Sequence, residues 1–187
     1  MNIHFNYLKK NAGFGLIEVL IAVLVLALAL LGLAALQVTS LSNNQSAYNR
    51  SQATQLAYDL ADRMRANIKG KSTYTSMLPS VAKVKMDCRK TTGCSFTDMA
   101  ENDLYEWNCS VAIASGCKNN IPSIEATLPN GQGVVCLDAS PDDGASATDP
   151  KCSGTGTVFV VKIWWDDDRT KDPVTVLRFV TSFELPV

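Results

Sequence analysis

One long apolar run near the N-terminus constrains this chain more than any other feature of its sequence. Phe14 to Leu36 is a stretch of 23 residues whose single charged residue is Glu18. A helix of that length spans about 35 Å, enough for a hydrocarbon core of about 30 Å. Lys9 and Lys10 precede the run, so we expect a cytoplasmic N-terminus and an exported remainder. A cleaved secretory signal is the alternative, but its apolar region is usually only about 7–15 residues long.

Glu18 is the unusual residue of this run, because a charged side chain within a bilayer costs about 2.5–3.5 kcal/mol on insertion scales. One explanation is that Glu18 lies near the interface and reaches water. Another comes from Gly13 and Phe14, since cleavage between them would place Glu18 fifth in the mature chain. The new α-amino group of Phe14 on a neighbouring subunit would then pair with the carboxylate and fix the axial register between subunits.

Residues 9–36 resemble the N-terminus of type IV pilins and of type II secretion pseudopilins. A basic leader, Gly13-Phe14, Glu18 and a long apolar run carry the resemblance, which together with residues 133–140 and 158–168 is most similar to PilV-type minor pilins. The resemblance implies that a prepilin peptidase cleaves after Gly13 and N-methylates Phe14. Ala35 stands where many major pilins carry a helix-kinking proline, which argues against a major-subunit role.

The function implied by this resemblance is that of a minor pilin of a type IV pilus. Such a subunit helps to initiate assembly, lies near the tip, and supports twitching motility, adhesion or DNA uptake. Its implied partners are the major pilin, other minor pilins, the prepilin peptidase, the inner-membrane assembly platform and a tip adhesin. Its implied location is the inner membrane, with one span and a periplasmic head, and the extracellular pilus of a Gram-negative bacterium. A type II secretion minor pseudopilin and a membrane-tethered ligand-binding head are the alternatives.

The expected fold class is α+β, a type IV pilin fold whose long N-terminal helix packs on an antiparallel β-sheet head with disulfide-stapled loops. Four segments are expected: a leader over 1–13, a transmembrane and filament-core helix over 14–36, its amphipathic half over 37–69, and the head over 70–187. The helix is expected to end at Lys69, with Gly70 in a left-handed conformation. The face predicted to pack on the head consists of Ala53, Leu56, Ala57, Leu60, Met64 and Ile68.

Within the head, β-branched and aromatic runs predict strands over Gly133–Leu137, Val158–Trp165 and Val174–Phe183, with a turn over Asp166–Pro173. The residues expected on the polar side of these strands are Lys162, Thr175 and Arg178. A short helix is predicted within 95–112, capped by Ser95 or Thr97. Its apolar anchors are Met99, Leu104 and Trp107.

Six cysteines lie on the side expected to be exported: Cys88, Cys94, Cys109, Cys117, Cys136 and Cys152. An even number in an oxidising compartment predicts disulfides, although six cysteines allow 15 pairings. Our expectation is sequence-local pairing, Cys88–Cys94, Cys109–Cys117 and Cys136–Cys152. Zinc is disfavoured because there is no CxxC pair, and the single histidine, His4, precedes the expected cleavage site.

Without a histidine the mature chain could not use Ser–His–Asp or Cys–His catalysis, so we expect no enzyme, no cofactor and no metal. Four aspartates could offer oxygen ligands to calcium but lack EF-hand spacing, so a solvated acidic loop is expected at Asp138, Asp142, Asp143 and Asp149. A solvated loop is also expected at the basic residues Lys83, Lys85, Arg89 and Lys90. The chain has 17 basic and 18 acidic residues, and this balance indicates no nucleic-acid site.

Overall fold

The computed structural model describes residues 15–109, 123–168 and 173–186. By its internal contacts the chain divides after Asn44 into two compact units. Helix α1, Leu16–Ala66, contributes to both of them. The two units are described separately below.

The described part of the first unit is the apolar portion of α1. Its large side chains are exposed, from Leu16 at 80% through Leu24 at 60% to Leu36 at 70%. Among the described residues, α1 is the one helix long and apolar enough to cross a membrane by length and composition. An apolar surface of this extent is stable only against lipid or against other apolar surfaces.

The second unit is built on the remainder of α1, one face of which is buried. Ala53, Leu56, Ala57, Leu60 and Met64 are all at most 3% exposed, as their helical spacing predicts. Ile68, the last residue of the predicted face, lies beyond the end of α1 and is half-buried. This face belongs to a core that also contains Tyr74, Leu104, Trp107, Ile124, Val135, Val161, Ile163 and Trp165. The core of the head therefore combines one face of α1, one side of the sheet and residues of the segments that connect them.

The end of α1 differs from the sequence-based expectation. The helix stops at Ala66, and a 3₁₀ turn over Ile68–Gly70 leads directly into helix α2, Lys71–Ser76. Gly70 has a φ of −85°, so the expected left-handed conformation is wrong. Glycine is needed for space instead, because a Cβ at this position would lie 2.7 Å from the carbonyl oxygen of Phe96.

Short elements connect α2 to the sheet: 3₁₀ turns over Pro79–Val81 and Met86–Arg89, helix α3 over Phe96–Asn108, and helix α4 over Ile124–Thr127. The predicted cap of α3 is confirmed, since the Ser95 hydroxyl accepts a 3.1 Å hydrogen bond from the Asp98 N–H. Trp107 is fully buried and donates its indole N–H to the Leu56 carbonyl oxygen at 2.8 Å, joining α3 to α1.

The described strands are β1 (Gln132–Leu137), β2 (Val158–Asp168) and β3 (Thr175–Glu184), which form an antiparallel sheet in the order β1-β2-β3. All three predicted strands are confirmed, and the predicted α+β class with them. Residues 169–172 of the expected turn lie outside the described part. Val135 and Val161 are paired and face the core, whereas Val134, Cys136 and Trp164 form a small cluster on the other side.

Candidate functional site

The first candidate site is the start of α1. Helix α1 begins at Leu16, and the N–H of Glu18 donates a 2.9 Å hydrogen bond to the carbonyl oxygen of Gly15. Glu18 is exposed in the first turn, where a negative charge interacts favourably with the helix dipole. Gly13 and Phe14, the expected cleavage and methylation site, lie outside the described residues.

The surroundings of Glu18 are apolar on every side of the helix. Leu16, Ile17 and Val19 are 80%, 67% and 54% exposed, and Glu18 is the only ionisable residue between Gly15 and Leu36. In an apolar medium its carboxylate would be strongly destabilised without a partner. On this surface the carboxylate therefore needs either water or a positively charged partner from outside the apolar part of α1.

The second candidate site is in the head, where residues 138–157 connect β1 to β2 and cover the outer face of the sheet; we call them the β1–β2 loop. Lys162 of β2 points into this loop and is fully buried. Its ammonium group lies 2.7 Å from Asp138 Oδ2 and 2.8 Å from Asp143 Oδ1. It also donates to the carbonyl oxygens of Pro150 at 2.8 Å and Asp143 at 3.1 Å.

This arrangement corrects two expectations. Lys162 does not lie on a solvated side of the sheet, because the β1–β2 loop covers it. Asp138 is 1% exposed and is not part of a solvated acidic loop. Burial by itself raises the pKa of Asp138, but Lys162 and the N–H groups of Ser140 and Ser153 stabilise the carboxylate and leave its pKa lowered.

Two further contacts hold the same loop. Arg178 of β3 donates to the carbonyl oxygens of Asp142 at 2.6 Å and Gly144 at 2.7 Å. A disulfide joins Cys136 to Cys152, with their Cα atoms 6.1 Å apart. The loop is thus fixed by a buried ammonium, a guanidinium and a covalent bond.

Ligand atoms of Cys136, Asp138 and Cys152 are close enough together to suggest a metal site. Both cysteines are engaged in their disulfide, however, and thiolates rather than disulfide sulfurs are the zinc ligands. The Asp138 carboxylate is paired with Lys162. This group of residues therefore does not form a zinc site.

Two residues of the expected basic patch, Lys85 and Arg89, are paired with acidic residues of α3, and Lys90 is paired with Asp87. Lys85 Nζ lies 2.7 Å from Glu101 and 3.3 Å from Asp98, and Arg89 lies 3.1 Å from Glu106. The hydrogen bonds to Glu101 and Asp98 raise the pKa of the Lys85 ammonium. These ion pairs neutralise much of the positive charge that the sequence indicates for this patch.

A second disulfide, Cys88–Cys94, closes the turn that carries this patch. It and Cys136–Cys152 are two of the three expected sequence-local pairs. Cys109 is also disulfide-bonded, and Cys117, its expected partner, lies outside the described residues.

Acidic and basic groups also meet inside the head. The Tyr74 hydroxyl donates to Asp103, and Arg63 lies 3.2 Å from Asp103 and 3.3 Å from Glu106. Burial and the neighbouring carboxylate raise the pKa of Tyr74, and burial raises the pKa of Asp103 despite its two donors. These contacts tie α1, α2 and α3 together.

Comparison with protein families identifies the family to which this architecture belongs. A family model described as Tt1218-like, type IV pilin Tt1218, matches residues 35–105, and a model of the prokaryotic N-terminal methylation motif matches residues 8–34. The chain belongs to the type IV pilin family. No curated protein and no solved structure matches it. Pilins of this family are structural rather than enzymatic proteins, and the apolar helix with its methylation motif fits a membrane-anchored pilin.

Sequence reasoning missed the pairing of Lys162 with the β1–β2 loop in this pilin. The signal was present, since Lys162 interrupts the apolar run Val158–Trp165 in the middle of a strand. Asp138 follows directly after β1 and lies two residues from Cys136. A lysine within an apolar strand and an aspartate beside a disulfide cysteine are candidates for a buried ion pair.

Proposed function

We propose that this pilin is a minor, PilV-type subunit of a type IV pilus that helps to initiate assembly and lies near the tip. The observation that carries the proposal is Glu18, the only charged residue between Gly15 and Leu36 in the exposed apolar part of α1, placed five residues after Gly13. A prepilin peptidase would cleave after Gly13, and Phe14 would become the N-methylated first residue. Residues 1–13 are then the leader, 14–36 the membrane and filament-core segment, and 70–187 the head. Residues 37–69 are the segment that holds the amphipathic half of α1, which ends at Ala66.

The physical basis of assembly in this proposal is the transfer of α1 from lipid to other helices. Both surroundings are apolar, so the hydrophobic effect alone does not favour the filament over the membrane. A charge pair between Glu18 and the α-amino group of Phe14 on a neighbour would favour one axial register, because every other register leaves a buried charge unpaired. The head then supplies contacts with specific partners: other minor pilins, the major pilin and a tip adhesin.

The location that follows is the inner membrane of a Gram-negative bacterium before assembly and the extracellular pilus afterwards, with twitching motility, adhesion or DNA uptake as the process served. The disulfides Cys88–Cys94 and Cys136–Cys152 and the expected export of the head agree with an oxidising compartment. Ala35 in place of a helix-kinking proline favours a minor over a major subunit. The near alternative is a minor pseudopilin of a type II secretion system, which would have the same apolar N-terminal helix and the same glutamate.

Replacing Glu18 by Gln in the native host tests the proposal, because the amide keeps the size of the side chain and removes its charge. We expect the variant to be processed and inserted in the membrane but lost from sheared pili by at least about tenfold, as an uncompensated buried charge costs several kcal/mol. Intact-mass analysis of wild-type protein should give a mature chain that begins at N-methylated Phe14. Glu184→Gln, an exposed carboxylate of the head, is the matched control and should assemble normally.

A mature chain that begins at Met1 or near Gln37 would disprove the processing step. Normal incorporation of Glu18→Gln would disprove the register role. Deletion of the gene distinguishes a type IV pilus subunit from a type II secretion subunit. Loss of pili and of twitching supports a minor pilin, whereas loss of protein secretion with normal twitching supports the pseudopilin.

A further inference from the structure

The buried Lys162 ammonium group is surrounded by more oxygen atoms than it has protons. Four oxygens lie within 3.1 Å of Nζ: one carboxylate oxygen each from Asp138 and Asp143, and the carbonyl oxygens of Asp143 and Pro150. An ammonium group has only three N–H donors, so it cannot give each oxygen a hydrogen bond of its own. We call these four atoms the oxygen cage.

The charge of the cage also exceeds that of its occupant. Two carboxylates carry two negative charges and Lys162 supplies one positive charge, so one negative charge is left over. Carboxylates together with backbone carbonyls are the donor set that calcium takes in proteins. In donor type and charge, the cage is complementary to a divalent cation.

Unusual backbone conformations accompany the two carbonyl groups that face Nζ. Gly144 has a φ of 91°, and a Cβ there would collide with the Pro150 carbonyl, so only glycine permits this approach of the chain. Lys151 has a φ of 56°, in the left-handed region that non-glycine residues seldom adopt. These two residues flank the cage and set the direction of its carbonyl groups.

The loop has supports that do not involve Lys162. The disulfide Cys136–Cys152 anchors it to the end of β1, and Arg178 binds the carbonyl oxygens of Asp142 and Gly144 from β3. A loop held at these points should keep its conformation when the ammonium is removed. The cage would then be open to an exogenous cation.

We propose that Lys162 is a built-in substitute for a divalent cation, so that the β1–β2 loop is a calcium-type site occupied by the chain's own ammonium group. The exposed surface of the loop therefore keeps one conformation whatever the calcium concentration outside the cell. Removing the ammonium converts the cage into a calcium site made by Asp138, Asp143 and Pro150. The inference concerns the head alone and does not depend on the proposed role in the pilus.

The test is thermal unfolding of the full chain in non-ionic detergent, with calcium, with magnesium and with a chelator. Wild-type protein should unfold at the same temperature in all three. Lys162→Met keeps much of the side-chain volume, should unfold at a lower temperature in chelator, and should gain about 3–8 °C at about 10 mM Ca²⁺. Magnesium should give a smaller gain, because it requires a smaller and more regular octahedral site.

Two controls locate the effect. Lys162→Met combined with Asp138→Asn should lose the response to calcium, because one carboxylate of the cage is gone. Lys85→Met removes a lysine that also faces two carboxylates but, among the described residues, donates to no carbonyl oxygen, and its unfolding should not respond to calcium.

Should Lys162→Met fail to fold in chelator, recovery of folded protein on refolding with calcium is the same test, and Lys162→Gln repeats it with a polar side chain. Calcium stabilisation of either variant but not of wild type supports the proposal. A calcium response in wild type, an equal response in the Asp138→Asn combination, or no response in both Lys162 variants overturns it.

Discussion

At the scale of single residues, the head depends on charges that are buried and paired. Lys162 and Asp138 both have fully buried side chains, and removing one partner of such a pair leaves the other uncompensated in an apolar interior. Asp103 behaves differently from Asp138, because burial raises its pKa although Tyr74 and Arg63 both donate hydrogen bonds to it. The contributions of the two aspartates to the free energy of unfolding therefore change in opposite directions as the pH falls.

The sign of each response follows from linkage between proton binding and folding. Folding lowers the pKa of Asp138, so this carboxylate adds to the free energy of unfolding above its ordinary pKa of 3.8. That contribution is lost as the pH falls through the lowered pKa. Folding raises the pKa of Asp103, so this residue adds to the free energy of unfolding below pH 3.8. That contribution is lost as the pH rises through the raised pKa.

We predict that Asp138→Asn lowers the free energy of unfolding of the head by about 3 kcal/mol near pH 7. The difference from wild type should stay constant down to about pH 5 and shrink below the ordinary aspartate pKa near 3.8, because there Asp138 binds a proton in the unfolded chain while it is still ionised in the folded one. Chemical denaturation of the full chain in non-ionic detergent between about pH 3 and 7 measures this difference.

Asp62→Asn is the matched control, because the Asp62 side chain is 73% exposed and pairs with Arg65 of its own helix. It should change the free energy of unfolding by less than about 0.5 kcal/mol. A loss for Asp138→Asn that is the same at pH 3 and pH 7 would refute the ion-pair explanation.

At the scale of elements, the head is organised where α3, α4 and β1 approach one another around Trp107. Gly133 of β1 makes that approach possible, since a Cβ there would collide with Ile124 and would lie 2.6 Å from Cη2 of Trp107. The Trp107 ring has little freedom to move, because its N–H is bound to the Leu56 carbonyl oxygen at 2.8 Å. A glycine that looks like a weak residue for a strand is therefore a packing requirement.

We predict that Gly133→Ala destabilises the head by about 1–3 kcal/mol through overpacking, seen as a lower unfolding temperature and reduced near-ultraviolet circular dichroism from Trp107. Gly32→Ala is the control, because a Cβ at Gly32 has no neighbour within 4 Å and alanine is the better helix former. Equal unfolding temperatures for Gly133→Ala and wild type would show that the ring and the Ile124 side chain can move aside.

The elements themselves were largely predictable from the sequence, because hydrophobic periodicity and β-branched runs are local signals. The apolar face of α1, the Ser95 cap and all three described strands followed from such signals. The end of α1 did not, since Gly70 is chosen by contact with Phe96, which lies 26 positions further along the chain. Lys162 was assigned to a solvated face for the same kind of reason: alternation identifies the outer side of a strand but not the loop that covers it.

At the scale of the whole molecule, the two units have opposite surfaces. The described first unit exposes nearly all its apolar side chains, whereas the second has its own core and two described disulfides. The first therefore requires lipid or other helices, and the second requires water and an oxidising compartment. One continuous helix, α1, supplies residues to both.

We predict that residues 45–187, produced alone in an oxidising compartment, fold without detergent, whereas the full chain requires detergent to stay in solution. The physical reason is that the core face Ala53–Met64 and its partners all lie within this segment. The fragment should be soluble, show a cooperative thermal transition, and by mass spectrometry contain the Cys88–Cys94 and Cys136–Cys152 disulfides. A fragment that aggregates, or that melts without a cooperative transition, would show that the head needs the first unit to fold. The matched control is the same fragment with Leu60→Ala, which should lose about 2–5 kcal/mol because Leu60 is fully buried in the core.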